Sequence, residues 1–287
     1  MKSALASRFR RPLHGEVCTG WVRPLAERSA RSAVLFPIAA AMMLVSWLLP
    51  AVAQGRSAAV GSTYVQRPLT LPEGVLEVNA GPRRPYFGGQ IAQAGQLQWT
   101  LRPNEPDTFV FSPGVAYGLL PDVELGVVWP TVFAPEVNLS DISFYGQYQL
   151  QGGAWEIAGY GEIRIPIESN LELTAGLPIQ LHLSPQLRVD TGAFFRMILR
   201  DPVFGALHLP LGLLVQISEQ LALGPELGVE VLDFEEVNVP VGVLGVWSLS
   251  NGLSTTGDLL FRLGLVDFAQ GFEQVRFDVG VQLYFGG

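Results

Sequence analysis

Along several runs of this chain the charged side chains all fall on one parity of position, and the opposite parity is largely apolar. Glu156, Glu162 and Arg164 alternate with Trp155, Ile157, Ile163 and Ile165. Arg188, Asp190 and Arg196 alternate with Leu187, Val189, Phe195, Met197 and Leu199. Asp258 and Arg262, then Arg276 and Asp278, repeat the pattern, and Glu124, Asp141, Glu226 and Glu230 join the same set by parity. Interleaved carboxylates and guanidiniums can do two things. They can pair and satisfy one another, or they can line a polar path for a solute. Catalysis and metal binding are poorly served. Past residue 53 the histidines are His182 and His208, and a metal needs three or four converging ligands. A hydrolase needs a Ser–His pair with an orienting third group, and Ser184 falls in a turn. Gly159-Tyr160-Gly161 lacks the third glycine of a dinucleotide loop. No catalytic, cofactor or metal residue is therefore assigned, and no enzyme is expected.

A repeat of two is the repeat of a β-strand, whose side chains point to opposite faces in turn. The last strand is the plainest. Val275, Phe277, Val279, Val281, Leu283 and Phe285 share one face; Arg276, Asp278, Gly280, Gln282 and Tyr284 share the other. Turn signals at Leu120-Pro121-Asp122, Gly152-Gly153, Ser184-Pro185, Glu219-Gln220 and Asn251-Gly252 recur roughly every 32 residues, the length of two membrane strands with a turn and a loop. Looser acidic stretches lie midway. The pattern predicts twelve strands at 74–80, 108–117, 123–131, 141–151, 154–166, 171–183, 186–199, 204–217, 221–232, 238–249, 255–265 and 274–285.

The expected fold is all-β: a transmembrane up-and-down antiparallel barrel with short periplasmic turns, apolar residues toward lipid and ionic ones in the lumen. Arginine facing mid-membrane lipid costs about 2–4 kcal/mol, which is a physical cause for the sorting. Trp155, Trp247 and Phe285 fall at the periplasmic rim and Trp129 near the other. Gln96–Leu101 also alternates, and reads as an extra strand or an extension of the second. The long first loop, 81–107, carries Arg83, Arg84 and Arg102 and is the segment expected to fold inward. Pro166, Pro178, Pro210, Pro225 and Pro240 lie inside strands, where bulges or bends must absorb the missing donors.

Residues 1–53 read as a secretory signal: Arg23, Arg28 and Arg31, an apolar run from Ala33 to Leu49, then Ala51-Val52-Ala53. Residues 54–73 read as a periplasmic amino-terminal segment and 74–287 as the barrel. Beyond residue 53 there remain 11 basic and 24 acidic side chains, a net of −13, with no lysine and no cysteine. Clustered cations for phosphate are missing, so nucleic acid is excluded as a partner. Nearly half of the chain, 48%, is hydrophobic. Yet past residue 53 no segment has helical periodicity or the length of a spanning helix, so the apolar surface calls for lipid as its solvent.

Three stretches resemble the outer-membrane transporter family named for the meta-cleavage (MetA) pathway of phenol degradation. They are Leu69-Thr-Leu-Pro-Glu-Gly-Val-Leu-Glu-Val78, Tyr117-Gly-Leu-Leu-Pro-Asp-Val-Glu-Leu-Gly126 and Asp141–Leu150. Leu120-Pro121 stands where the family has Thr-Asp. The resemblance implies a barrel that moves small, often apolar, molecules, and it brings no site residues. The expectation is a bacterial outer-membrane barrel that passes small molecules, apolar or aromatic ones included, through a polar, acidic lumen. Outer-membrane lipid, the solute and, through the carboxyl-terminal strand, the barrel-assembly machinery are its expected partners. The alternative is a non-conducting structural or adhesion barrel, with a lipid-modifying enzyme a distant third.

Overall fold

Strands with one apolar and one ionic face must keep the apolar face out of water, and here they close on themselves with that face outward. The structure, a computed structural model, describes residues 63–80, 96–101, 108–134, 138–139, 141–167, 170–250, 256–265 and 275–286. Among them there is no α-helix. Twelve strands, each antiparallel to its neighbours, form one closed barrel. They are β1 (Leu76–Ala80 continued by Gln96–Leu101), β2 (Thr108–Phe111 continued by Gly114–Leu120), β3 (Val123–Val128 continued by Thr131–Ala134) and β4 (Asn138–Leu139 continued by Ile142–Gln151). Then follow β5 (Trp155–Ile165), β6 (Leu171–Ser184), β7 (Leu187–Leu199), β8 (Phe204–Gln216), β9 (Leu221–Leu232), β10 (Glu236–Asn238 continued by Val241–Ser250), β11 (Thr256–Leu265) and β12 (Val275–Phe285).

The barrel is shut by β12, whose partner strand is in two pieces. Leu76–Ala80 pairs with Val281–Phe285, and Gln96–Leu101 continues the same line against Val275–Gly280. Gln96–Leu101 is thus the second half of β1. It is neither an extra strand nor an extension of the second strand, and the count stays even. The expected loop 81–107 is corrected accordingly, since its middle is wall. Its flanks, 81–95 and 102–107, lie outside the described residues, as do the signal reading for 1–53, the stretch 54–62 and the turn at 251–255.

Burial runs opposite to that of a soluble protein. Leu125, Phe144, Tyr148, Trp155, Ile163, Leu177, Leu211 and Leu263 are exposed on the outer wall, while Glu124, Arg188, Asp258, Arg262 and Asp278 are almost wholly buried inside. The prolines mark where the ladder pauses. Opposite Leu177-Pro178, opposite Leu209-Pro210 and opposite Pro225, a neighbouring ladder skips two residues and then resumes in register. A proline has no N–H to donate, so the wall gives up those bonds locally and keeps its alignment. Bulges sit at the short-turn ends of β2, β4 and β6.

Candidate functional site: the lumen and its amino-terminal strap

The ionic side chains singled out from the sequence lie on the buried side of the wall. Glu124, Asp141, Glu156, Arg164, Arg188, Asp190, Arg196, Glu226, Glu230, Asp258, Arg262, Arg276 and Asp278 are buried, and Glu162 is half-buried. Parity places them on one face, and closure of the barrel gathers that face into one interior. Height along the strand then decides which of them meet.

At the short-turn end the interior is filled by chain. The sequence reading sets 54–73 apart as a periplasmic segment; its described part, from Thr63, runs instead as a strap inside the mouth and leads into β1. Tyr64, Val65, Arg67, Thr70 and Leu71 are all buried. Tyr64 and Val65 pack with Leu214, Ala222, Leu244, Val246 and Leu260 on one side of the lumen, and Leu71 and Val75 with Ala116 and Tyr284 on the other. The strap begins with a single 3-10 turn, Tyr64–Gln66; a buried backbone must have partners for its N–H and C=O groups, and the wall supplies them. Glu156 accepts from the Leu69 N–H at 2.5 Å and Glu124 from the Leu71 N–H at 2.9 Å. Gln147 donates to the Leu69 carbonyl at 2.9 Å, Arg188 to the Tyr64 carbonyl at 2.8 Å, and Gln216 accepts from the Val65 N–H at 3.2 Å. Thr70 donates to Gln149 at 2.6 Å.

One cation of the strap is locked to the far wall. Arg67 Nη2 donates to Asp258 Oδ1 at 2.9 Å, and Asp258 is fully buried. The Arg67 guanidinium also lies over the rings of Tyr64 and Tyr284, at 5.4 and 4.9 Å from their centroids, and Arg188 lies over Tyr64 at 4.9 Å. Between strap and wall a cavity of about 30 Å³ remains, lined by Tyr64, Arg67, Leu69, Arg188, Asp190 and Tyr284 among others. That is room for one or two waters.

Beside the strap and above it the ionic groups of the wall pair with one another. Arg188 binds Asp190 through Nε and Nη2, at 3.1 and 2.9 Å. Arg262 clasps both carboxylate oxygens of Glu226, at 2.5 and 2.9 Å, and Arg276 donates to Asp278 at 3.0 Å. Nearer the other rim Arg164 joins Ser143, Glu172 and Glu162. Asp141 accepts from the Ile167 N–H at 3.0 Å and so caps the loop between β5 and β6. His182 sits 3.3 Å from Glu156, a strand away from His208 and β8. Among the described residues no group of three or more His, Cys, Asp or Glu is arranged to hold a metal.

A band of rings marks mid-height. Tyr145, Tyr160 and Phe194 follow one another across β4, β5 and β7, with centroids 5.9 and 6.0 Å apart. Two of them lie down over glycines. Gly126 is paired with Tyr145 and Gly176 with Phe194, and a Cβ on either glycine would stand 2.3 or 2.1 Å from the ring.

Parity along the strands puts these ionic side chains on one face, and parity gives no sign of the strap. The available signal was the run Tyr64, Val65, Leu69, Leu71 with a single arginine, an odd composition for a segment left in water, beside an interior richer in acids than in bases.

No protein-family model matches the chain, and no curated protein does. Solved structures do. The COG4313 outer membrane channel from Pseudomonas putida F1 aligns with a TM-score of 0.54 and 11% identity, over 75% of this chain and 97% of that one. The NanC porin aligns with a TM-score of 0.50 and 7% identity, over 65% of this chain and 97% of that one. Likeness at such identities is likeness of fold: this chain has the fold of bacterial outer-membrane barrels, and its exposed apolar wall suits that membrane.

Proposed function

We propose that this chain is an outer-membrane conduit through which small molecules, those with apolar or aromatic bodies among them, pass passively, and that the strap is its movable stopper. We place it, on the three stretches quoted above, with the MetA-type transporters. One observation carries the reading. The short-turn mouth is closed by a length of backbone held with hydrogen bonds and one ion pair, where a barrel built only as a support could close on its own side chains. The wall devotes Glu124, Gln147, Glu156, Arg188 and Asp258 to that segment. Each bond is replaceable by water once the segment shifts.

The same strap is what favours the second reading, a closed structural barrel. Planar-bilayer recordings separate the two. Full-length protein is expected to give small conductance steps, and the double variant Arg67→Met, Leu71→Asp, which unseats the strap, larger ones. Silence from both, together with no swelling of protein-loaded liposomes in small solutes, would overturn the conduit.

A further inference from the structure

Two cavities stand back to back on one part of the wall. Inside, the small space between strap and wall is bounded by Pro68 and Leu69 of the strap and by Pro178, Ile179, Thr191 and Phe194 of β6 and β7. Outside, a groove of about 670 Å³ opens on the lipid-facing side, and Phe194 borders it too. The ladders set Gly146, Gly161 and Ala175 side by side across β4, β5 and β6 as its floor, between Leu125 and Phe195. Gly159 extends the floor between the exposed side chains of Tyr148 and Leu177. Among the described residues no charged side chain lines the groove.

The wall between the two cavities lacks part of its ladder. Pairing of β5 with β6 stops at Tyr160 and Gly176 and resumes at Ile157 and Ile179, so Leu177 and Pro178 stand opposite Ala158 and Gly159 unpaired. On the far side of β7 the same happens. Thr191 pairs with Leu211 and Phe194 with His208, and the ladder skips Gly192 and Ala193 opposite Leu209 and Pro210. Pro178 is itself paired with Gly192. Both gaps therefore lie at one height, on either side of the β6–β7 pair. A proline removes a donor at each, in a wall whose backbone would otherwise be fully paired against hydrocarbon. The inner face at this height carries only Ala158, Pro178, Gly192 and Pro210, so it is the strap that backs the seam.

We propose that the β5–β6 seam at Gly159 and Leu177 is a side exit, through which a small uncharged apolar molecule leaves the lumen for the outer groove and so for the lipid. Pro68 and Leu69 bar it from inside while the strap is seated. The pairs above and below, Arg164 with Glu172 and Glu156 with Gln180, stay closed. The molecule's entry into the lumen rests on the conduit reading above, which the exit deepens: a solute whose body sheds water need never cross the short-turn mouth.

A reversible staple tests this. Gly159→Cys and Leu177→Cys face one another on the outer side of the seam, and the chain's one native cysteine is removed by Cys18→Ser. The probe is N-phenyl-1-naphthylamine, an apolar dye that fluoresces in hydrocarbon, added to intact cells that carry the full-length protein in their outer membrane. Wild type is expected to admit the dye faster than cells without the protein. Closing the disulfide prevents local opening of the seam and is expected to slow dye entry about tenfold, and reduction to restore it. Swelling of protein-loaded liposomes in glycine, which follows the axial path, should not respond to the staple. The double variant Gly159→Phe, Gly161→Phe fills the groove instead. A Cβ at either position meets nothing within 4 Å, so the wall should form as before and the dye should slow as it does with the staple. No dye entry above that of protein-free cells, or entry that ignores a formed disulfide or the filled groove, would overturn the side exit. So would a staple that slows glycine and dye alike, because it would then act on the whole barrel. Staple-sensitive dye entry through a barrel silent to ions and glycine would sink the axial conduit and leave the exit standing.

Discussion

In the short-turn half of the lumen a length of backbone occupies the interior, and the wall presents carboxylates and amides to its N–H and C=O groups. Beyond the rings of Tyr160 and Phe194 the described interior is lined by side chains alone, and the arginines there depend on other side chains for their counter-charges. The parity pattern of the strands is the same in both halves. What differs is the partner, and the partner sets the energetics. A carboxylate such as Glu124 or Glu156 that receives a backbone N–H is tied to the position of a whole segment, so a change there moves the strap. A guanidinium such as Arg164, bonded to Glu172 on the next strand, is tied to the wall, which does not move.

The largest effect that would sharpen this contrast is expected at Asp258. It is fully buried and its described ion-pair partner is Arg67 of the strap. Asp258→Asn leaves Arg67 inside without a counter-charge, a loss of about 3–5 kcal/mol by the rule for half-broken buried pairs. The protein is expected to melt at a lower temperature, to conduct more, and to be cut by thermolysin near Leu69 and Leu71. The double variant Arg67→Met, Asp258→Leu removes both charges together and should recover most of the loss. If Asp258→Asn lowers stability while the strap stays resistant to protease and conductance is unchanged, the pair belongs to the wall and the contrast between halves is gone.

A smaller effect is expected where the halves meet. The Phe194 ring lies over Gly176 and is itself only 2% exposed, so it has little room to retreat from a Cβ 2.1 Å away. Gly176→Ala should cost about 1–3 kcal/mol, the usual range for overpacking, read as a shift in the denaturant midpoint. Gly161 on the adjacent strand faces outward, and a Cβ there meets nothing within 4 Å. Gly161→Ala should therefore stay within about 0.5 kcal/mol of wild type. Equal costs at the two glycines would mean that the rings do not bear on the wall as described.

The wall was legible from residue order because its causes are local. Alternation has a period of two, and the penalty for a charge in lipid acts on each residue separately, so Glu156 against Trp155 or Asp278 against Phe277 can be sorted one by one. The strap was not legible, because what holds it is far away in sequence: Arg67 meets Asp258 across 191 residues and Arg188 meets the Tyr64 carbonyl across 124. No periodicity carries that information. The first strand was half-seen for a related reason. Gln96–Leu101 alternates like any strand, but its place as the continuation of Leu76–Ala80 follows only from the β12 ladder. Parity also gives a face and no neighbours. Arg188 and Arg262 look alike in the sequence, and only the barrel gives one the strap's Tyr64 carbonyl and the other Glu226.

The smallest effect is a pH dependence confined to the strap. Tyr64 is buried, and burial pushes its phenol above the ordinary value of 10.0; Arg188 and Arg67 oppose that rise while Asp190 adds to it. A raised pKa means that the seated strap keeps the phenolic proton more firmly than the released one does. The sign follows: the contribution of Tyr64 is whole below about pH 10, and is lost as pH climbs toward the raised value, because only the released form ionises freely there. Thermolysin cleavage of the strap should be flat from about pH 8 to 10 and rise above it. Tyr64→Phe keeps the ring under both guanidiniums, 5.4 and 4.9 Å from its centroid, and removes the ionisable group. That variant should show no alkaline rise. An identical alkaline rise in Tyr64→Phe would assign the opening to the wall, and the two halves of the lumen would then respond to pH as one.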